Sequence, residues 1–547
     1  MHALLKELSE RVATGLVRRS ITTCSRWAEQ YRVMGQPYPG PWSFKHHPWC
    51  REMHDCQVDM VGQKGAQLGF TETALNKVFF AIDVRAASVL YVLPASTPDA
   101  SDFSTSRFDP ALESSDHLRK LFSDVKNIGH KRAGQANLFI RGSRSRSQLK
   151  SIPVGIIIFD EVDEMVQDNI PLAFERMSGQ VEKQKFLLST PTIAGYGINA
   201  YFQNSTQGEF FFKCPACSKW TQCVFPESIV ITAEDYNDPK IKDTHLICTD
   251  CKAILPHAGK VDWLSTGKWV DAKPQMPMKG FHVSQLYSMT TTPAELAVSF
   301  LKSSSNAADE QEFYNSKLGL THTVKGAKVS EEDIIACIGE HMMKDKSTGF
   351  ITMGVDIGKY LHCEIVEWRV PKHRPTPDVN LLAKAKVVHA CKVKEFNDLH
   401  ALMRRFRVRS CVVDAQPERR KAFEFAEMYA GRVKLCFYGR GVRSRTINVH
   451  TDRDQTITVD RTNWLDVSLG RFFRGSITLP KDIPLEYRKH VQALTRIYKK
   501  DADGNPIGIY VKADNDADHY AHARNYSEIA LLLGLSLGKS QDIRSAP

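Results

Sequence analysis

Residues 156–161, Ile156-Ile157-Ile158-Phe159-Asp160-Glu161, run four apolar side chains into two adjacent carboxylates. A continuous apolar run marks a strand buried on both faces of a parallel sheet. Such sheets bind ligands beyond the carboxyl ends of their strands. Asp160 is thereby a candidate Mg²⁺ ligand and Glu161 a candidate for polarising an attacking water in a nucleotide hydrolase. Taken alone, a core strand ending in a solvated turn reads the same way. The segment Gln63–Glu72 upstream adds weight, because Gly69 and Thr71 align with the last Gly and the Ser/Thr of a G-x-x-x-x-G-K-[ST] phosphate loop. Phe70 then stands where the lysine belongs, and Lys64 falls on the first glycine position. A flexible lysine at the loop's start can still present its charge to the β/γ oxygens. The nucleotide-contacting candidates are Lys64, Gly65, Gln67, Gly69, Phe70 and Thr71, together with Asp160.

Two further constellations carry metal chemistry. Cys214-Pro215-Ala216-Cys217 and Cys248-Thr249-Asp250-Cys251 form paired C-x-x-C knuckles separated by 30 residues, the pattern of a four-thiolate Zn²⁺ site. Cys223 lies near and is not expected to be a ligand. In the last third, Phe350–Asp356 and Arg409–Asp414 are apolar runs ending in acids, and Asp514–His522 carries several more ahead of an apolar helix. Asp356, Asp414 and Asp518 fit a nuclease centre in which carboxylates hold Mg²⁺ or Mn²⁺. Asp516 and His522 are substitutes for the third ligand.

These residues need elements to position them. A helix is expected over Ala74–Phe80, its N-terminus facing the phosphates. Ser88–Leu93 reads as a strand stopped by Pro94, and Lys185–Thr192 as a strand ending in hydroxyls that could sense a γ-phosphate. The expected organisation is an N-terminal helical segment 1–40, an ATPase domain 41–345 with a zinc ribbon inserted at about 208–275, a nuclease domain 346–530 and a tail 531–547. The fold class is α/β throughout.

With 547 residues, 42% hydrophobic and 25% charged, the composition is that of a globular chain. No stretch of about 18 apolar residues occurs, so no membrane association is expected. The N-terminus lacks a signal-peptide core, and an intracellular protein is expected. The net charge of +11 and the clusters Arg141–Arg146, Arg404–Arg409, Arg419–Lys421 and Arg440–Arg445 favour a polyanionic partner.

An ATPase, a zinc ribbon and an RNase H-like nuclease on one chain resemble the large terminase subunit of tailed bacteriophages, specifically its lambda-like GpA branch. The matching stretches include Pro39-Gly40-Pro41-Trp42, Gly65–Gly69, Asp160–Asp163, Ser189-Thr190-Pro191, the two knuckles, Gly280-Phe281-His282, Tyr314–Gly319, Val355-Asp356 and Asp518–His522. The resemblance implies a P-loop motor that hydrolyses ATP to move double-stranded DNA through a portal into a procapsid, and a two-metal nuclease that cuts concatemeric genomes. It implies Lys64, Gly69 and Thr71 on phosphate and metal, Asp160 on Mg²⁺ and Glu161 as the catalytic carboxylate. It places Pro39–Arg51 near the adenine, and leaves the arginine finger open because Gln67 stands where some members carry arginine. It also implies a small terminase subunit and the portal protein as partners, a homo-oligomeric ring when docked, and action in the host cytoplasm. The alternatives are a helicase-like DNA-remodelling ATPase with a resolvase-type nuclease, and an inactive-ATPase scaffold that binds DNA, the latter suggested by Phe70.

Overall fold

The computed structural model describes residues 21–123, 125–150, 152–344, 346–347, 349–371, 379–439, 446–449, 455–500 and 506–542. The expected helix at the extreme N-terminus and the cluster Arg440–Arg445 therefore lie outside the described residues. The chain divides into two compact units, Met1–His322 and Thr323–Pro547.

The first unit is built on an eleven-stranded sheet. Its central strands are β1 (Met60–Lys64), β2 (Val89–Leu93), β3 (Ala136–Gly142), β4 (Ile156–Asp160), β5 (Gln184–Ser189), β6 (Gly208–Lys213) and β8 (Lys279–Val283), with β7 (Lys268–Asp271) at one edge. Every residue of β1, β2 and β4 is buried; β2 and β4 are the apolar runs a covered parallel sheet requires, while β1 buries Gln63 and Lys64 as well. The order is β6-β8-β1-β5-β4-β2-β3, all neighbours parallel. The hydroxyl-ended strand β5 thus lies between the loop strand β1 and the acid strand β4. Helix α1 (Phe70–Arg85) follows the loop directly. β6 and β7 pair with each other in the main sheet, so the cysteine-bearing insertion is smaller than the expected ribbon module.

The second unit has β9 (Phe350–Ile357) paired antiparallel with β10 (Leu361–Arg369), which pairs antiparallel with β11 (Lys384–Val393). On its other side β9 pairs in parallel with β12 (Ser410–Asp414), followed by β13 (Val433–Tyr438) and β14 (Thr456–Val459). Its helices include α2 (Arg461–Phe473), α3 (Leu485–Gln492) and α4 (His519–Asp542). α4 lies directly on β9 at Gly354, where an added Cβ would collide with the backbone of Ala523 and Ser527. Beneath it, Arg471, Arg524, Glu364 and Glu528 are fully buried and mutually paired, with Arg524 3.1 Å from Glu364 and 2.6 Å from Glu528. Such ions persist in a core only when hydrogen-bonded and neutralised.

The structure divides earlier than residue 345 because Val329, Ile334 and Cys337 bury in the core of the second unit. Its C-terminal helix also runs into the expected tail as far as Asp542, with Leu531 packed in that core.

Candidate active sites

β1 delivers Lys64 to the carboxyl edge of the first sheet. The lysine is buried, and its Nζ lies 3.4 Å from Glu161 Oε1. Two left-handed residues turn the loop, Gln67 at φ 59° and Gly69 at φ 83°; glycine adopts this conformation freely and glutamine under strain. Gly69 is the N-cap of α1. The first-turn N–H groups of α1 have no intrahelical acceptor and sit at the positive end of its dipole, which suits an anion.

Two loop positions differ from expectation. Gly65 donates its N–H to Val283 O at 2.8 Å, and Ala66 donates to Ser316 O at 2.7 Å, so these amides are committed to the protein rather than to a phosphate. Gly65 is needed for space, since a Cβ there would stand 2.8 Å from Lys317 O. The Phe70 side chain is also no phosphate contact. It is 1% exposed and packs on β1, where a Cβ on Gly62 would come within 2.6 Å of its ring. The segment ahead of β1 abuts the loop, as Trp49 Nε1 donates to Leu68 O at 2.9 Å.

Asp160 ends β4, and its Oδ2 accepts from Tyr91 Oη at 2.7 Å. Its Oδ1 is buried with no hydrogen-bond partner, the state of a carboxylate oxygen suited to a cation. Burial pushes Asp160 up to about 6, the Glu161 charge adds to this, and Lys64 and the hydroxyls of Tyr91 and Thr71 oppose it. Glu161 follows at φ 64°, a strained conformation of the kind that gathers at functional sites. Ser189, ending β5, reaches Glu161 Oε2 at 3.4 Å and accepts from the Asp163 amide at 3.3 Å. Asp163 Oδ1 accepts from Ile198 N at 2.7 Å, and its Oδ2 accepts from Thr192, so the acid turn and the end of β5 are bonded as one unit.

In the second unit, Val355 and Val413 are register partners on parallel β9 and β12. Asp356 and Asp414 consequently leave the sheet edge side by side. Burial pushes Asp414 up to about 6 against the donated Gln416 amide, and the Asp356 charge adds to the rise. α4 brings His519, whose Nδ1 is 2.8 Å from Asp356 Oδ2. Asp518 is engaged differently. Burial acts to raise it, but the hydrogen bond and charge of His522, 3.3 Å away, bring it down to about 2, helped by Lys512 and Arg461. His522 also acts on Asp414 and hydrogen-bonds Tyr438 Oη at 3.1 Å. The two strand acids thus converge, and Asp518 connects to them through His522. Asp516 is exposed.

Tyr91, His362 and His519 were not anticipated as site residues. Tyr91 reads only as a strand residue. His519 and His522, three apart at a helix start, share one face, which was a legible signal.

The two knuckles fold alike. Cys214 N donates to Lys219 O and Ser218 N to Cys214 O; Cys248 N donates to Ala253 O and Lys252 N to Cys248 O. Ser218 and Lys252 occupy equivalent left-handed positions at φ 60° and 59°. One ligand atom from each of the four cysteines lies within 4.8 Å of the others, with Cys214 Sγ 3.8 Å from Cys251 Sγ. Zn–S bonds of ~2.3 Å in a tetrahedron place sulfurs about 3.8 Å apart, so the set fits Zn²⁺. Cys223 is buried elsewhere, its thiol pushed up to about 12 by burial.

Residues 36–269 match the family described as phage terminase large subunit gpA, ATPase domain, and residues 278–473 match terminase large subunit gpA, endonuclease domain. The chain is 22% identical over 340 residues to the terminase large subunit of Escherichia phage lambda, a match covering 55% of this chain and 52% of that protein. It therefore spans about half the length of that relative. The crystal structure of the HK97 bacteriophage large terminase aligns with a TM-score of 0.50 at 10% identity, covering 93% of this chain and 99% of that one, a likeness of fold. With both gpA domains matched in succession on one chain, the protein belongs to the phage terminase large subunit gpA family.

Proposed function

We propose that this chain is a viral DNA-packaging motor that hydrolyses ATP to translocate double-stranded DNA into a procapsid and cleaves concatemeric DNA with its second unit. The observation that carries this reading is the presence of two separate carboxylate centres, at Asp160/Glu161 and at Asp356/Asp414, each at the carboxyl edge of its own sheet.

In the first centre, the N–H groups opening α1 and the Lys64 ammonium receive the β/γ-phosphates of ATP. Thr71 and the unpartnered Oδ1 of Asp160 would hold Mg²⁺, which neutralises charge on the phosphate oxygens when bound. Glu161 orients the attacking water and accepts its proton once Lys64 turns from it to phosphate. Ser189, bonded to Glu161 and to the turn at Asp163, is placed to report loss of the γ-phosphate along β5. In the second centre, Asp356 and Asp414 would hold Mg²⁺ or Mn²⁺, which activates water and stabilises the leaving oxygen of a phosphodiester. Cys214, Cys217, Cys248 and Cys251 would hold structural Zn²⁺. Family resemblance supports a small terminase subunit and a portal as partners, a ring of copies at the portal, and action in the host cytoplasm. The inactive-scaffold reading loses its support, because Phe70 is a core residue and the loop's cation comes from Lys64.

The test is DNase protection of linear DNA by portal-bearing procapsids. The Asp356→Asn chain should package such DNA and the Glu161→Gln chain should not. Full stimulation of ATP use by DNA alone, with no procapsid requirement, would favour the remodelling enzyme instead.

A further inference from the structure

We propose that Asp356, His362 and His519 form a transition-metal site at the margin of the second centre, so that this centre selects a transition metal over Mg²⁺. The functional consequence rests on the nuclease reading; the site itself rests on geometry. Asp356 and His362 are register partners on antiparallel β9 and β10, so their side chains leave one face of the sheet with Cβ atoms about 5 Å apart. His519 arrives from the first turn of α4. Gly358 leaves room for it, since a Cβ there would stand 2.9 Å from the His519 ring. Three elements thus each deliver one donor, and a ligand atom from each lies within 4.8 Å of the other two.

The surroundings suit a cation. His362 is 3% exposed and its Nδ1 has no hydrogen-bond partner, a costly state for a buried ring nitrogen. A third imidazole, His490, has its centroid 5.5 Å from that of His362 and 5.6 Å from that of His519. Glu486 Oε1 lies 3.9 Å from His362 Nε2. His490 and Glu486 also line an open cavity of about 440 Å³ beside the site. The His362 and His519 rings are stacked at 4.5 Å and 10°, so coordination requires the His519 ring, whose side chain is 36% exposed, to turn out of the stack.

Two imidazoles and a carboxylate suit Mn²⁺, Fe²⁺, Co²⁺ or Zn²⁺, whereas Mg²⁺ favours oxygen donors alone. Sharing Asp356 with the Asp414 centre would make occupancy here govern cleavage.

The experiment uses the full-length chain loaded with Mn²⁺, a probe that thiolates bind poorly, in about 100-fold excess Mg²⁺. Electron paramagnetic resonance counts the retained Mn²⁺, and pulsed methods read nitrogen couplings from coordinated imidazole. The expected result is retained Mn²⁺ with nitrogen coupling, weakened at least about 10-fold by His362→Gln and by His519→Gln. Displacement of all Mn²⁺ by Mg²⁺, or bound Mn²⁺ without nitrogen coupling in the unsubstituted chain, overturns the proposal, as does indifference to both substitutions. Asp414→Asn separates the two readings. Nitrogen coupling should survive it while plasmid cleavage is lost; persistent cleavage would sink the nuclease reading and leave the metal site standing.

Discussion

Lys64 enters from the strand side of the loop, one position before the glycine turn, and still meets Glu161, the proposed catalytic carboxylate. Charge-assisted contacts of this kind contribute about 1.5–3 kcal/mol. Lys64→Ala should therefore weaken ATP binding by about 10- to 100-fold, measured by nucleotide titration; unchanged affinity would remove the lysine from the site. Asp414 makes a pH prediction. Its carboxyl is raised to about 6, so metal-dependent cleavage should rise as pH increases through 6, when the ligand ionises. The stability sign runs the other way. A carboxyl raised above its unfolded value of ~3.9 binds protons preferentially in the folded state, so its contribution is present at low pH and lost between about 4 and 6. At this scale the acids, the lysine and the cysteines were legible because their chemistry restricts residue type. The spent amide of Gly65 and the inward Phe70 were not, since both depend on Val283 and Gly62, which approach only in the fold.

Strands β2, β4, β9 and β12 were legible as apolar runs that each have one buried reading, whereas β1, which carries Gln63 and Lys64, was not read as a strand. Their neighbours were not, because side-chain pattern does not encode which parallel strands pair. The insertion of β5 between loop and acid strands, which puts Ser189 beside Glu161, emerges only from the register. The seating of α4 is similarly tertiary, and it rests on Gly354. Gly354→Ala would drive a methyl into the α4 backbone and should cost about 3 kcal/mol in denaturant unfolding, with loss of cleavage as His519 and His522 shift. The buried ions under α4 are as demanding. Burial acts to raise Glu528, but the charges and hydrogen bonds of Arg471 and Arg524 outweigh it and hold it down at about 2. A depressed carboxylate stabilises above its unfolded value of ~4.3 and loses that contribution as pH falls toward 2. Glu528→Gln leaves the buried Arg471 without its carboxylate and Arg524 with Glu364 alone, and should destabilise the second unit by about 3–5 kcal/mol.

Across the whole molecule, two sheets each carry a carboxylate pair at the carboxyl edge, and a four-cysteine cluster stands in an insertion of the first. The units divide before residue 345 because Val329, Ile334 and Cys337, interspersed with Ser330, Glu331, Glu332 and Asp333, bury in a second-unit core that forms only in the fold. Cys217→Ser should lower bound zinc by about one ion per chain, read by elemental analysis, and should loosen the knuckles without altering the Asp356 centre.

The most direct test is steady-state ATP hydrolysis by the Glu161→Gln chain, with nucleotide affinity measured in parallel. The rate should fall at least about 100-fold, the scale of a lost general base, while affinity stays within about threefold. A rate equal to that of the unsubstituted chain would contradict the placement of the hydrolytic centre at the end of β4.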